Sequence, residues 1–351
     1  MSILGPAISE LRDRSGADIG SIGILFVGQS LGYLVTSLAG GRLYDRVVAH
    51  RLFAGAFAMI ALGLASVPSF TTLPPLFVVF VVVGIGAAMV DVGGNTLLLW
   101  ELGSSGDRAM NVLHLCFGLG ALSAPLFVYV GLDVAVRGAA LGCVALAVWA
   151  LSVPSPTVRI ATEEQQTSPS RPLLALLAAF FLLYVGLEVG FGSWVHTYAE
   201  EIEFSALGAT WLTATFWIGF TIGRLLSSAL APKLRPKIVL AGSCVASVVA
   251  VGILVVGSGR TAPVWIGTAM IGVATAPQFP VMLTYLERRI QVTGSATSWF
   301  IGGAGIGGLT FPWLIGRWFD AAGPWALPWA CLLLALATLA SFVAIDRVLG
   351  G

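Results

Sequence analysis

Two acidic residues could do chemistry because they lie deep inside long apolar segments. Of the 17 acidic residues, only Asp91 in the run VDVGGNTLLLW and Glu188 in the run YVGLEVGFGSW are placed in this way. A carboxylate at the centre of a membrane helix costs about 2.5–3.5 kcal/mol on insertion scales, so it must face a partner or a wet cavity. Asn95 follows Asp91 by four residues and lies on the same helical face. We expect Asp91 and Asn95 to face one cavity. A hydrogen bond that only joins two helices is the alternative, and for Glu188 both interpretations stay open.

Two basic side chains lie at a similar depth in their predicted helices. Counted at about 1.5 Å per residue from the predicted helix ends, Arg224 and His114 come close to the level of Asp91. Neighbouring charges in such a site would shift the pKa of a histidine or an aspartate. In the alternative, Arg224 extends along its helix to water or to a loop carboxylate. The candidate ion-coupling residues are Asp91, Glu188, His114 and Arg224.

Amide and indole side chains could hold a neutral ligand that carries several hydroxyl groups. Amides pair with hydroxyls, and indole rings cover C–H faces. Tryptophans near helix ends are more typical of the membrane interface, so the prediction applies mainly to Trp194 and Trp299. The candidate substrate-binding residues are Asn95, Asn111, Gln29, Gln278, Trp194 and Trp299.

Motifs of enzymes and metal centres are absent from the sequence. It contains no HExxH, no GxSxG and no Walker lysine; GAGIGG at 303–308 matches GxGxxG, but it lies inside an apolar segment with no strand before it. Close packing of small residues between helices is the better interpretation. The four cysteines lie in apolar runs without metal-ligand spacing, and the net charge of +1 offers no field for nucleic acid. We therefore expect no enzyme, no cofactor or metal, and no nucleic-acid partner.

The composition predicts a membrane protein. Of the 351 residues, 57% are hydrophobic and 10% are charged, which is too few charges to cover a soluble domain. A helix needs about 20 apolar residues to cross a bilayer core of about 30 Å. Eleven such stretches occur, continuous and glycine-rich, without the alternation typical of barrel strands. They lie at about 21–41, 52–69, 74–100, 109–131, 134–153, 172–199, 205–231, 237–257, 262–285, 293–318 and 325–345. The predicted fold class is an all-α membrane protein with eleven spans.

The sequence indicates that the chain consists of two related halves. Residues 154–171 form a polar, proline-rich linker between residues 1–153 and 172–351. A shift of 187 residues places the block G-x-G-x-L-x-x-P at 118–125 on the same block at 305–312, which indicates a duplication. The second half begins at about Pro172, so this offset would start the first half about fifteen residues before Met1. We therefore expect most of a first helix to be absent from this chain, with residues 1–10 as its outer end.

The distribution of basic residues predicts the orientation in the membrane. Twelve of the 18 Lys and Arg residues lie on the side of the linker, five lie at the opposite helix ends, and Arg224 lies within a helix. Loops rich in Lys and Arg stay in the cytoplasm. We therefore expect the linker and the C-terminus to be cytoplasmic.

The loop GRLYDRVVAHR at 41–51 resembles the signature between helices 2 and 3 of the major facilitator superfamily. Gly41, Leu43, Asp45, Arg46 and Arg51 match the pattern, while Val48 or Ala49 stands where a later glycine is usual. The resemblance implies two six-helix bundles joined by a cytoplasmic linker, and a gating loop. The residues of the predicted gating loop are Gly41, Arg42, Asp45, Arg46 and Arg51.

Further motifs resemble the branch that holds the fucose permease and the sodium-dependent glucose transporters. They are Asp91-x-x-x-Asn95, Met110-Asn111-x-x-His114, Tyr184-Val185-Gly186 and Gly223-Arg224. The resemblance implies a monosaccharide:cation symporter, driven by H⁺ or Na⁺, that works by alternating access as a monomer in the bacterial inner membrane. In it Asp91 would be the coupling carboxylate, and Asn95, His114 and Gln278 would line the sugar site. An exporter of drugs or metabolites and a non-transporting receptor or scaffold stay open as alternatives.

Overall fold

The computed structural model describes residues 2–44, 47–102, 107–155, 170–231, 233–257, 260–290 and 294–350, and in these ranges the regular structure is helical. The helices are α1 (Leu4–Ser15), α2 (Ile19–Ile22), α3 (Ile24–Tyr44), α4 (Ala49–Ser66), α5 (Leu73–Leu102), α6 (Asp107–Val130), α7 (Leu132–Ser152), α8 (Arg171–Glu201), α9 (Ala206–Leu230), α10 (Pro236–Val256), α11 (Thr261–Thr275), α12 (Gln278–Glu287), α13 (Gly294–Ala322) and α14 (Ala326–Gly350). Short 3₁₀ turns precede α5 and α14.

The helices give the predicted number of membrane crossings. The described residues contain nine segments that are long and apolar enough to span a bilayer, and one of these, Trp299–Leu349, holds both α13 and α14. α6 adds the shorter apolar stretch Leu115–Val130. The pairs α2–α3 and α11–α12 each form one span. The eleven crossings and the all-α membrane fold are therefore confirmed.

Two spans are interrupted where the sequence gives a reason. Pro277 separates α11 from α12, because proline has no N–H to donate and its ring clashes with the preceding turn. Gly23 separates α2 from α3 and lies against Trp194, where an added Cβ would be 3.4 Å from Cζ2 of the indole. Asp18 caps α2 by accepting a hydrogen bond from the N–H of Ser21, and this bond lowers the pKa of the Asp18 carboxyl.

The two halves contain the same helix crossing. Gly84 of α5 lies against the backbone oxygen of Gln29 in α3, and Gly272 of α11 lies against the backbone oxygen of Phe216 in α9. Gln29 and Phe216, whose backbone oxygens make these contacts, are 187 residues apart, which is the offset predicted between the two halves. Only a residue without a Cβ lets two backbones approach in this way. The crossing supports the predicted duplication. The boundaries at 153 and 172 stay predictions, because residues 156–169 lie outside the described part of the chain.

The halves meet through three sets of helices. α1 packs against α8, α2 and α3 against α13, and α6 against α9. We call the end of the bundle that holds Ser152 and Arg171 the linker end, and the end that holds Ser15 and Glu201 the far end. One apolar cluster spans both halves and includes Leu4, Ile8, Phe26 and Trp194. A second belongs to the C-terminal half and includes Phe181, Tyr285 and Phe342.

Candidate transport site

Asp91 of α5 is exposed and hydrogen-bonded on two sides. The hydroxyl of Tyr33 in α3 donates to Oδ2 of Asp91. Nδ2 of Asn95 donates to the Asp91 backbone oxygen at 2.9 Å and to Oδ1 at 3.2 Å. The four-residue spacing thus brings the two side chains together as expected. An exposed carboxylate in a membrane helix needs water or an ion, so its surroundings must be wet.

Glu188 of α8 is half-buried and is held from its own half. The hydroxyl of Tyr184, one turn earlier, donates to Oε2 of Glu188. The charge of Arg224 in α9 acts on Glu188 and on Tyr184. The guanidinium carbon of Arg224 also lies 4.8 Å from the centroid of the Phe220 ring. An opposite charge and a donated hydrogen bond reduce the cost of a carboxylate in this position.

Tyr33 belongs to the polar groups around Asp91, since its hydroxyl donates to that carboxylate from the neighbouring helix α3. The N-terminal half therefore holds the hydrogen-bonded group Asn95, Asp91 and Tyr33. The C-terminal half holds the separate pair of Tyr184 and Glu188. Our sequence analysis missed Tyr33, although a tyrosine four residues after Gln29 in an apolar helix was a visible signal.

The two candidate glutamines are both buried. Gln278 is fully buried, and its Nε2 donates to Oγ of Ser247 at 2.8 Å and to the Ala274 oxygen at 3.2 Å. The bond to Ser247 joins α12 to α10, and the bond to Ala274 joins it to α11, all within one half. Gln29 is 4% exposed, and its Nε2 finds no hydrogen-bond partner among the described residues. In this conformation the Gln278 amide nitrogen joins helices, while Oε1 of Gln278 and Nε2 of Gln29 have no hydrogen-bond partner among the described residues.

The two candidate tryptophans lie in different surroundings. Trp194 is fully buried, donates to the Pro312 oxygen at 2.6 Å and packs edge-on against Phe26 at 5.4 Å between centroids. It therefore fills the contact between the halves. Trp299 is 47% exposed and borders a cavity of about 540 Å³ between α8 and α13. The other walls of that cavity are Ala175, Ala178, Ala179, Leu182, Gly302, Gly303 and Ile306.

Several of the predicted site residues lie partly or wholly outside the part of the chain that the structure describes. Asn111 and His114 belong to α6, but their side chains are outside the described part of the chain. The same holds for the surroundings of Gly41 and the side chain of Arg42 in the last turn of α3, and for Asp45 and Arg46 as whole residues. Arg51 is exposed in the first turn of α4. Among the described residues, no group of three or more His, Cys, Asp or Glu could hold a metal ion.

At the far end, polar contacts join the halves. Oγ of Ser9 in α1 donates to Oε2 of Glu200 in α8, and Nδ1 of His196 lies 3.5 Å from the same oxygen. Nη1 of Arg12 lies 3.6 Å from Oε1 of Glu201. A third contact joins α2 to α13, where the N–H of Gly20 donates to Oδ2 of Asp320 at 2.9 Å. The gating loop at 41–51 stays a prediction, and no motif in the sequence indicated these contacts at the far end.

Toward the linker end the same helices separate. Leu34 of α3 contacts Gly305 of α13, but Leu38, one turn further along the same face, is 49% exposed. One turn from Gly305, a Cβ added at Gly302 would meet no described atom within 4 Å. The halves are therefore closed at the far end and open at the linker end.

The α6–α9 contact opens in the same direction. Gly118 of α6 lies against the side chain of Thr221 in α9, and Leu225, one turn further along α9, is 46% exposed. Both sides of the interface therefore widen toward the linker end, with Asp91 and Glu188 near the middle.

Comparison with known proteins agrees with this fold. The chain is 26% identical to the sodium-dependent glucose transporter 1A of Mus musculus over 362 residues, which cover 90% of this chain and 85% of that protein. Its fold is similar to that of a mutant of the nucleoside transporter NupG, with a TM-score of 0.78, 17% identity, and 99% and 95% of the two chains covered. The human organic anion transporter MFSD10 gives a TM-score of 0.69 at 15% identity, with 97% and 88% covered.

A family model decides the assignment. The model described as Major Facilitator Superfamily matches residues 1–312, which is most of the chain. Together with the eleven helical crossings, this match shows that the chain belongs to the Major Facilitator Superfamily of membrane transporters.

Proposed function

We propose that the chain is a monosaccharide:cation symporter that works by alternating access. The observation that carries the proposal is Asp91, an exposed carboxylate in the middle of a membrane helix, bonded to Tyr33 and Asn95 where the halves separate. The name of the mouse relative, a sodium-dependent glucose transporter, supports a sugar and a cation. We propose Asp91 as the group that binds H⁺ or Na⁺.

Binding at Asp91 would favour one of two conformations. A cation that binds both conformations equally shifts nothing, so coupling requires a difference in affinity between them. In the present conformation Asp91 is open to water and bonded to Tyr33 across two helices of one half. The two halves would rock about this site, with the far end closed in one state and the linker end closed in the other.

Asn95 and Trp299 are the proposed contacts to the sugar. The Asn95 side chain has both a donor and an acceptor, which suits hydroxyl groups, and it lies beside the cation site. Trp299 offers an exposed indole face at the cavity between α8 and α13. Asn111 and His114 stay candidates on α6. Trp194 and Gln278 are buried in this conformation, so a contact to substrate would require them to be exposed in another state.

The test uses the chain in proteoliposomes with labelled hexoses and an imposed gradient of Na⁺ or H⁺. Asp91→Asn should abolish gradient-driven accumulation, with a loss of about tenfold or more, while exchange of labelled for unlabelled sugar is retained. Asp13→Asn is the matched control, because it makes the same chemical change at an exposed far-end residue. If Asp91→Asn still concentrates sugar like the parent, Asp91 is not the coupling site.

Two other functions give different results in this assay. An exporter of drugs or metabolites would bind lipophilic cations or anions and no hexose. A receptor or scaffold would bind hexose without flux. We further propose that the linker and C-terminus are cytoplasmic and that the chain acts as a monomer in a bacterial inner membrane; cysteine labelling from each side of the membrane tests the orientation.

A further inference from the structure

The interface between the halves has two equivalent sides, and on one of them a hydrogen bond joins the halves. Oγ of Ser30 in α3 donates to the Gly308 backbone oxygen in α13 at 3.0 Å. That oxygen lacks its usual helical partner, because Pro312 stands four residues later and proline has no N–H. On this side the protein itself supplies the donor for a carbonyl that a proline leaves free.

The other side repeats the free carbonyl but carries a different donor. An offset of 187 residues separates Ser30 from Trp217 in α9. The same offset separates Ala121 in α6 from Gly308. Pro125 lies inside α6, four residues after Ala121, so the Ala121 oxygen also lacks its usual helical partner. Trp217 is therefore the residue that the repeat places opposite this oxygen.

Contacts between α6 and α9 support this placement. Gly118 of α6 lies against the side chain of Thr221 in α9. The ring of Phe117 lies edge-on against the Trp217 indole, with 6.2 Å between the centroids. Ala121 and Trp217 also belong to the same buried cluster. Because the two helices run in opposite directions, Ala121 and Trp217 both lie on the far-end side of the contact between Gly118 and Thr221.

The indole N–H of Trp217 is buried and has no partner. Trp217 is 9% exposed, and its Nε1 finds no hydrogen-bond partner among the described residues. The indole lies beside Gly192 of α8, where an added Cβ would be 3.5 Å from Cζ2. A buried donor without a partner is unfavourable, so it destabilises the conformation in which the far end is closed. Opening of the far end would relieve this cost if a partner reached the N–H.

We propose that the indole N–H of Trp217 and the backbone oxygen of Ala121 bind one hydroxyl group of the sugar when the far end opens. A hydroxyl accepts one hydrogen bond and donates another, so it satisfies both groups at once. A site of this kind discriminates against a sugar that lacks the hydroxyl, because its own polar groups then stay unpaired. Water has the same hydrogen-bonding chemistry, and the experiment separates the two. The inference rests on the proposed function, since it assumes that the chain carries a monosaccharide.

The experiment measures competition by sugars that each lack one hydroxyl. Proteoliposomes with the far end facing the medium take up labelled hexose, and the inhibition constants of hexose and its monodeoxy derivatives are compared. In the parent, the derivative that lacks the bound hydroxyl should compete about tenfold or more weakly than hexose. Trp217→Phe removes the N–H and keeps an aromatic ring. It should weaken hexose by about fivefold or more, and this derivative by less than about 1.5-fold.

A second variant tests the acceptor without touching the indole. Pro125→Ala returns an N–H to α6 that can bond to the Ala121 oxygen, so it should cause the same selective loss as Trp217→Phe. Trp211→Phe is the matched control, because it makes the same change in α9 at a residue that is 45% exposed. It should leave every inhibition constant within about 1.5-fold of the parent. Thermal unfolding in detergent compares the folding of the three variants.

The outcomes separate this inference from the proposed function. An equal loss for hexose and every derivative, as expected if the two groups hold only water, would overturn the inference while leaving hexose transport intact. Unchanged competition by hexose in Trp217→Phe would overturn it in the same way. A parent chain that takes up no hexose would overturn the proposed function, and the inference with it.

Discussion

The far end and the linker end of the interface are built from the same helices but are in opposite states. At the far end, α1 and α2 contact α8 and α13 through Ser9–Glu200, Arg12–Glu201 and Gly20–Asp320, over an apolar layer that contains Trp194. At the linker end, Leu38 and Trp299 are half-exposed. The difference supports the proposed alternating access, in which the two halves would rotate about the small residues in the middle of the interface while groups at the two ends make or break contact.

The largest effect is expected from locking the closed end. Ser9 and Glu200 are in direct side-chain contact between α1 and α8. In the double variant Ser9→Cys, Glu200→Cys the two thiols can therefore be joined by oxidative cross-linking with a short reagent that forms a disulfide with each of them. If the far end must open in each cycle, oxidation should reduce uptake by about tenfold or more, and a reductant should restore it. Uptake in proteoliposomes before and after reduction is the measurement.

The single variants Ser9→Cys and Glu200→Cys are the controls for this lock, since the chain also has four cysteines of its own. They should respond to oxidation no more than the parent. An oxidised double variant with undiminished uptake would mean that the far end stays closed throughout transport. The two ends would then not open and close in turn.

An intermediate effect is expected at two glycines of α13, one turn apart. A Cβ at Gly305 would lie 3.0 Å from Cγ and 3.2 Å from Cβ of Leu34, whereas a Cβ at Gly302 meets no described atom within 4 Å. Gly305→Ala should lower the free energy of unfolding by about 1–3 kcal/mol through overpacking. Gly302→Ala should be neutral or stabilising by up to about 1 kcal/mol, because alanine favours helix.

Thermal or denaturant unfolding in detergent distinguishes the two glycine variants. Opposite signs would support a closed contact at Gly305 and an open one at Gly302. Equal destabilisation would show that the helices also touch at Gly302, and that the linker end is closed in solution.

Hydropathy and local spacing were enough to predict the fold. Whether a stretch crosses a membrane depends on its own length and composition, so the eleven crossings followed directly from sequence. Asn95 beside Asp91 followed for a similar reason, because residues four apart share a helical face. The break at Pro277 was missed, although a proline inside a predicted span was the signal for it.

Contacts between distant helices could not be predicted in this way. Tyr33 lies 58 residues from Asp91, and Ser9 lies 191 residues from Glu200, so no spacing along the chain indicates either pair. Arg224 was grouped by depth with Asp91 and His114, and its charge acts on Glu188, which lies near the same level. Depth in the membrane can be counted from sequence. The direction in which a helix faces its neighbours depends on how whole helices pack.

The smallest effect is expected at the Arg12–Glu201 pair. Its side chains are 30% and 36% exposed and its N–O distance is 3.6 Å, so water and salt screen the attraction. Pairs of this kind contribute about 0.2–1 kcal/mol, so Glu201→Gln should shift the balance between far-end-closed and far-end-open states by at most about fivefold. Labelling of the nearly isosteric variant Ser193→Cys would report that balance, since Ser193 lies against Gly5 of α1 and is 8% exposed while the far end is closed. Glu203→Gln is the matched control, because the described residues give Glu203 no ion pair and it lies just beyond α8. The shift should shrink as ionic strength rises; a larger, salt-independent shift would mean that Glu201 closes the far end by something other than its charge.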